Sequence, residues 1–456
     1  MGIQGLLPMF RGSTKDVHVS AYAHKTLAID GYAWLHRGKW ACAIELCQGI
    51  ATTKHVDFCL KGLQLMVDHN VKPLLVFDGA SLLAKRATDD DRREKREKAL
   101  RKAQKLWREG SQEDARKAFG AAVAVTSEMA AQLCDAAKAR WGDRIDFLVA
   151  PYEADAQLAQ LARSGQCDGV ISEDSDNLPY GVPRTVFKYD PKTGKGEQIV
   201  LEDLFNAPEG VNAISIRGWT HDMFVLMCCM AGCDYAESVD GVRVKRAHEL
   251  VGRYRDFDRV LRALRSKYTV PDDYELKLKR AVLTFGHQTV FDRNANSVAH
   301  LTPLSPEHVE EYGPWPAFLG EQIGSALAVD IATCERHPTT HVRFQPAALP
   351  VQPAAPPAPP VPAATPDDDA DFWAWAEELT QRAEDKHEAG LAQLLEGEHE
   401  AAAAALAPRK RPRDEGSAGD APARKRARVA EALQIVGTFA GALAVAWIIV
   451  RALVLV

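Results

Sequence analysis

Apolar residues in this chain come in short runs that stop on acids. Residues 26–29 (TLAI) end at Asp30 and 73–77 (PLLVF) at Asp78; 147–150 (FLVA) lead to Glu153 and Asp155, and 169–171 (GVI) to Glu173, Asp174 and Asp176. Each run is short, rich in branched residues and followed by a helical-looking segment. That alternation predicts an α/β fold with a central, mostly parallel sheet and helices on both faces. Ligands of such sheets bind beyond the carboxyl ends of the strands, so these acids are expected to converge at one edge. Taken singly, each acid reads as the N-cap of the next helix. Four strand ends finishing in acid gather negative charge that capping does not explain and that calls for a cation.

A different pattern fills residues 85–117, with thirteen Lys or Arg against eight Asp or Glu and almost nothing apolar before Leu100, Leu106 and Trp107. Alone, such a run is a solvated helix laced with i,i+4 ion pairs. Its start just after Asp78 favours a helical arch over the acidic edge, whose cations hold a phosphate backbone that the acids would repel. Residues 223–232 (MFVLMCCMAG) read as a buried helix ending just before another acid, Asp234. In 239–250 a Gly-containing turn precedes a basic helix start, which resembles a helix-turn-helix pair; its turn amides, with Lys245 and Arg246, suit phosphate. Trp315, Phe318 and 342–344 are the expected apolar anchors of the last globular stretch.

Beyond residue 345 the pattern dissolves. Residues 346–366 are Ala/Pro-rich, as in a stiff unfolded spacer. Residues 367–400 are acidic around Phe372, Trp373 and Trp375, either a short helix or a site for a protein partner. Basic clusters at 409–413 and 424–428 resemble a bipartite nuclear-localisation signal, which points to the nucleus. Residues 435–450 carry no charge, and Arg451 alone interrupts the apolar run to 456. That segment either associates with a membrane, with Gly437 and Gly441 offering a packing face, or is an apolar helix packed on protein.

The 456 residues allow two or three domains, and the net charge of -6 argues against a uniformly basic coat while leaving room for basic clusters. Nine cysteines without a CxxC pair fit buried thiols in a reducing compartment. The opening MGIQGLLPMF lacks the features of a secretory signal, and Leu6 stands where a myristoylation motif wants Ser or Thr. Clustered acids under a basic arch suggest divalent metal and phosphodiester hydrolysis.

Specific motifs sharpen this reading. MGIQGLLP at the start, the Ile29–His36 segment, VFDG at 76–79, VAPYEADAQLA at 149–159, SEDSD at 172–176 and GCDY at 232–235 resemble the structure-specific 5' nucleases. This is the flap endonuclease and XPG group, and the chain is most similar to its eukaryotic exonuclease 1 branch, in unbroken motif order over residues 1–300. The resemblance implies a PIN-like nuclease core with a helical arch and a helix-two-turn-helix, followed by a disordered tail. The divisions are an N-terminal nuclease region (1–100), an arch (85–127), an internal nuclease region (128–234) and a DNA-binding helix-two-turn-helix (235–300). A C-terminal extension (301–345), a disordered linker (346–429) and an apolar helix (430–456) follow. It implies two Mg2+ ions, replaceable by Mn2+, on Asp30, Asp78, Glu153, Asp155, Asp174, Asp176 and Asp234, with Lys85 and Arg92 reaching the scissile phosphate. Gly2, Tyr32, His36, Arg93, Arg96, Gly241, Lys245 and Arg246 are implied DNA contacts, and a monovalent cation is implied at the helix-two-turn-helix. Glu173 is left out, because neighbouring strand-end residues point in opposite directions.

The implied activity is a Mg2+-dependent 5'-to-3' double-stranded DNA exonuclease with 5' flap endonuclease activity in repair, recombination or replication. The alternatives are a predominantly endonucleolytic flap or junction enzyme, or a non-catalytic DNA-structure binder or membrane-tethered scaffold. Three departures from the family stand out. Relatives carry Gly-Ile-Gly where this chain has Gly241-Val242-Arg243, so the turn is expected to be disturbed. Asn177 and Pro179 replace an apolar pair, and about a dozen residues around 207–218 look inserted.

Overall fold

The acid-tipped runs become the centre of a sheet whose register brings their ends level. The computed structural model describes residues 2–344, with backbone alone at 86–89. Its main strands are β1 (Lys15–His18), β2 (Thr26–Asp30), β3 (Lys72–Phe77), β4 (Asp146–Val149), β5 (Gly169–Ile171), β6 (Arg184–Phe187) and β7 (Lys195–Val200). They lie in the order β1-β7-β6-β5-β2-β3-β4. β2 to β5 pair in parallel, β6 joins β5 in parallel, and β7 and β1 extend that edge antiparallel. Ile29 is level with Leu75 and Ile171, and Phe77 with Val149. The acids that follow these strands therefore leave from one edge.

Side chains alternate across a strand, so both faces need cover. Ala28, Leu74, Val76, Leu148 and Val170 enter one core with the Ala154–Arg163 and His221–Ala231 helices. Leu27, Ile29, Leu75 and Phe77 are buried on the opposite face, where the Gly31–Gly38 and Lys54–Asp68 helices lie against β3. The expected α/β architecture, with helices on both faces, is the observed one.

The charged stretch forms the Arg86–Arg108 helix, which packs on the Gln112–Ala122 helix. Ala103, Ala115 and Phe119 bury the seam, with Trp107 edge-on to Phe119 at 6.1 Å. The solvated face carries i,i+4 pairs such as Lys95–Asp91 and Lys98–Glu94.

The helices Val244–Tyr254, Phe257–Arg265 and Tyr274–His287 precede a hairpin, β8 (Thr289–Asp292) and β9 (Ser297–His300), which the sequence pattern did not suggest. Gln157 clamps this hairpin to the Ala154–Arg163 helix, donating to Phe291 O (2.9 Å) and accepting from Phe291 N (2.8 Å). Of the expected anchors at 342–344, Phe344 is half-buried against His337 but Val342 is not an anchor. Val342 is 65 % exposed, while Leu319, Ala328, Ile331 and Ala332 are the buried residues. Arg336 and Arg343 instead fasten that segment by pairing with Asp330.

Residues 207–218 lie against the N-terminal segment, Ala213 N donating to Met9 O and Asn212 to Ser13 Oγ. The expectations for 346–429 and 430–456, namely the linker, the partner motif, the nuclear signal and the apolar helix, fall outside the described residues. Among the described residues no helix is long and apolar enough to cross a membrane.

Candidate active site

Three of the acids accept the kind of capping bond expected of single acids. Asp30 Oδ1 accepts from Ala33 N (3.0 Å) at the start of the Gly31–Gly38 helix. Asp174 Oδ1 caps the next turn through Asp176 N (2.9 Å). Asp78 Oδ1 reaches across to cap the helix that follows β4, accepting from Ala154 N (2.7 Å). A carboxylate offers about four lone-pair sites, so one capping bond leaves acceptor capacity for a cation. Capping and cation holding are compatible here.

The electrostatics show what capping leaves unanswered. Burial, then the charges of Asp78 and Asp174, pushes Asp30 up to about 7. Burial also raises Asp78, and Glu153 adds to it. Asp155 is raised by burial and then by Asp174 and Asp30, and Asp176 by burial and then by Asp174. Asp174 is raised by burial first, with Asp234 contributing. These carboxylates feel one another through a poorly solvated space, as members of a like-charge cluster do.

Two cations answer part of it. Lys85 Nζ lies 2.5 Å from Glu153 Oε1 and 3.0 Å from Asp234 Oδ2, and Arg92 Nη2 lies 3.6 Å from the same Asp234 oxygen. Burial alone would lower the Lys85 pKa, but Glu153, Asp234 and Asp155 carry it well above the ordinary value. Glu173 faces elsewhere, as expected, pairing with Arg37 at 2.7 Å.

The N-terminal segment closes the acidic edge. Ile3 N donates to Ser175 Oγ (2.9 Å) and Asp176 Oδ1 (3.1 Å). Gly2, at φ +77°, lies so near that a Cβ there would meet Asp174 Oδ1 at 2.1 Å and Asp176 Oδ1 at 2.4 Å. A glycine is required by both the angle and the space.

The other expected contacts surround this edge. Tyr32 packs edge-on against Phe77 (5.6 Å) with its hydroxyl 3.4 Å from Ser127 Oγ. His36 is exposed, within reach of the charges of Arg92 and Arg96. Arg93 pairs with Asp90 at 2.8 Å. Gly241 has φ +78°, Lys245 is exposed, and Arg246 pairs with Glu249. The disturbed turn is not observed: Val242 N closes it on Val239 O (2.9 Å), and Arg243 has φ −114° as the N-cap of the Val244–Tyr254 helix, a conformation open to any residue.

Sequence reasoning missed Tyr180 and Gln288, both buried beside Glu153. No local signal marks them, because their partner is far away in the chain.

The XPG N-terminal domain matches residues 1–99 and the XPG I-region residues 144–234. The DNA damage-inducible protein DIN7 of Saccharomyces cerevisiae is 36% identical over 306 residues, covering 67% of this chain and 70% of the relative. The chain belongs to the XPG family of structure-specific nucleases. Exonuclease 1 of Arabidopsis thaliana is likewise 36% identical over 346 residues, 76% of this chain and 45% of the relative, so the chain spans less than half of that protein. A solved flap endonuclease from Methanococcus jannaschii is 24% identical, with a TM-score of 0.40 over 59% of this chain and 81% of that one.

XPG-family nucleases are metal-dependent, and the residues fit such a group. Among the described residues no three acids, histidines or cysteines close into a ready-made cage. The donor set is nonetheless all carboxylate oxygen, the kind hard divalent cations take. Asp30, Asp155 and Asp176 are raised by burial first and then by neighbouring carboxylates, and Gly2 leaves the space beside Asp174 and Asp176 clear of side-chain carbon.

Proposed function

We propose that this XPG-family chain is a Mg2+-dependent 5'-to-3' double-stranded DNA exonuclease with 5' flap endonuclease activity, serving repair, recombination or replication. The observation that carries the reading is the meeting of Lys85, at the N-terminal end of the basic helix, with Glu153 and Asp234 at the acidic strand edge. Asp30, Asp78, Glu153, Asp155, Asp174, Asp176 and Asp234 hold the Mg2+, which Mn2+ replaces. When bound, such ions supply Lewis-acid and charge-neutralising chemistry to the phosphodiester.

The chain's own groups do the rest. Lys85 and Arg92 leave their carboxylates and neutralise the charge that builds on the scissile phosphate. Tyr32 and His36 meet the frayed end, Arg93 and Arg96 follow the strand beneath the arch, and Gly2 lets the backbone come close. Gly241, Lys245 and Arg246 hold the duplex backbone, so geometry rather than base sequence selects substrate.

The test is cleavage of 5' flap, gapped, nicked and blunt duplexes with and without Mg2+, by the wild type and Asp174→Ala. Mononucleotide release from blunt and recessed ends, dependent on metal and abolished in the variant with duplex binding kept, is expected. Wild-type rates in Asp174→Ala would overturn the reading.

A further inference from the structure

Beneath the acids lies a layer of buried, uncharged polar side chains that no step above uses. Asn177 is fully buried. Its amide nitrogen commits one hydrogen to Asp155 Oδ1 (3.3 Å) and the other to the Asp174 main-chain carbonyl (3.0 Å). Both neighbours are acceptors, which fixes the amide with nitrogen toward the acids. Its oxygen is left buried without a partner, a cost that an apolar residue would avoid.

Glu153 is held in the same way by groups from another part of the chain. Gln288, also fully buried, ends the Tyr274–His287 helix and lies outside both matched family segments. With its amide turned to suit its neighbours, its nitrogen donates to Glu153 Oε2 (3.3 Å) and to the Tyr180 hydroxyl, and its oxygen accepts from Glu153 N (3.2 Å). Tyr235 donates to Glu153 Oε2, and the Tyr180 and Tyr235 hydroxyls are 2.5 Å apart. One consistent set of donors results: Gln288 to Tyr180, Tyr180 to Tyr235, and Tyr235 to Glu153. Glu153 Oε2 is thereby occupied from below, while Oε1 faces Lys85.

We propose that Asn177, Tyr180 and Gln288 are positioning residues that fix the orientation of the Asp155 and Glu153 carboxylates for divalent cation. The inference rests on the metal-dependent reading above. A buried amide fills space equally well whichever acceptors its N–H groups meet. These amides instead direct their N–H groups at two neighbouring carboxylates, the geometry by which outer groups orient ligands and raise affinity. Gln288 also ties Glu153 to the hairpin that Gln157 clamps onto the Asp155 helix, so the two acids share one rigid support.

Metal affinity is measured on the full chain without DNA, by Mg2+ titration calorimetry and by Mg2+ displacement of Tb3+ luminescence, with urea unfolding alongside. Asn177→Leu and Gln288→Met, both shape-conserving, are expected to weaken binding about tenfold or more, and Tyr180→Phe about threefold. Cleavage should return to within about twofold of wild type at saturating Mg2+, a recovery that general loosening of the fold would not give. Wild-type affinity in the folded variants overturns the inference. If Asn177→Leu and Gln288→Met do not fold, Tyr180→Phe, which deletes one oxygen, decides it: unchanged affinity overturns the proposal and a weakened one supports it. Absence of saturable binding in the wild type sinks the metal reading itself, a result distinct from equal binding by all chains.

Discussion

The Lys85 ammonium lies 2.5 Å from Glu153 Oε1, with both side chains largely withdrawn from water. A lysine at the foot of the basic helix thus supplies positive charge between two of the acids proposed above to hold Mg2+. The pair has a measurable consequence in each state. Without metal, Lys85→Ala removes the ammonium that meets both Glu153 and Asp234 and leaves Arg92 beside Asp234, and breaking such a buried pair costs about 3 kcal/mol. With Mg2+ present the ions take over that role, so the loss should shrink to under about 1 kcal/mol. Urea unfolding of both chains in EDTA and in Mg2+ checks this; equal losses in the two conditions would mean that Lys85 does not share the metal position. Cleavage should fall about 100-fold or more in either case, because the phosphate loses a charged donor.

Gly2→Ala tests the clearance beside Asp174 and Asp176. The added carbon meets carboxylate oxygens at 2.1 and 2.4 Å and must adopt φ +77°. Because backbone and acids would have to part, apparent Mg2+ affinity for cleavage is expected to fall about tenfold. Thermal stability should drop by about 1 kcal/mol, the cost of a left-handed alanine. An unchanged Mg2+ dependence would show that the N-terminal segment stands clear of the site.

How much of this was visible in the residues depends on how local each signal is. β2, β3 and β5 announce themselves because a short apolar run and its terminal acid are adjacent in sequence, and parallel register does the rest. The capping reading of Asp30 holds without exhausting the residue, since its Oδ1 caps while its charge stays coupled to Asp78. Gln288 was invisible because its role exists only after the chain returns from the last long helix to Glu153. Val342 misled by its hydrophobicity: the segment is held through Arg343 and Arg336 on Asp330, so the valine stays in water.

Lys39 supplies a pH dependence away from the acids. Its ammonium is buried against Val123 O at 2.7 Å. Burial first, then the charge of Arg96, lowers its pKa from 10.5 to about 8. Between those values the unfolded chain binds the proton and the folded chain does not, so the Lys39 contribution to stability rises with pH across about 8 to 10.5. Over that window wild-type stability should gain about 3 kcal/mol relative to Lys39→Met. Urea midpoints for both proteins at several pH values measure the difference; parallel curves would contradict it.

Arg243 occupies the position where family resemblance led us to expect damage, and the geometry predicts the opposite. It is exposed, donates to Ser238 Oγ (3.3 Å) and borders a cavity of about 290 Å3 shared with Gly2, Gln4 and Asp234. Its backbone is extended, so glycine offers no conformational advantage there. Replacing it with glycine removes one cation from the face proposed above to hold the duplex backbone. Arg243→Gly should therefore weaken duplex binding several-fold, evenly across sequences, and reduce the slope of log affinity against log salt by about 1. Stability should change by only a few tenths of a kcal/mol, as for glycine at an N-cap. Tighter binding by the variant would show that the side chain obstructs the turn; weaker binding with the shallower slope would show that this arginine is itself a phosphate contact.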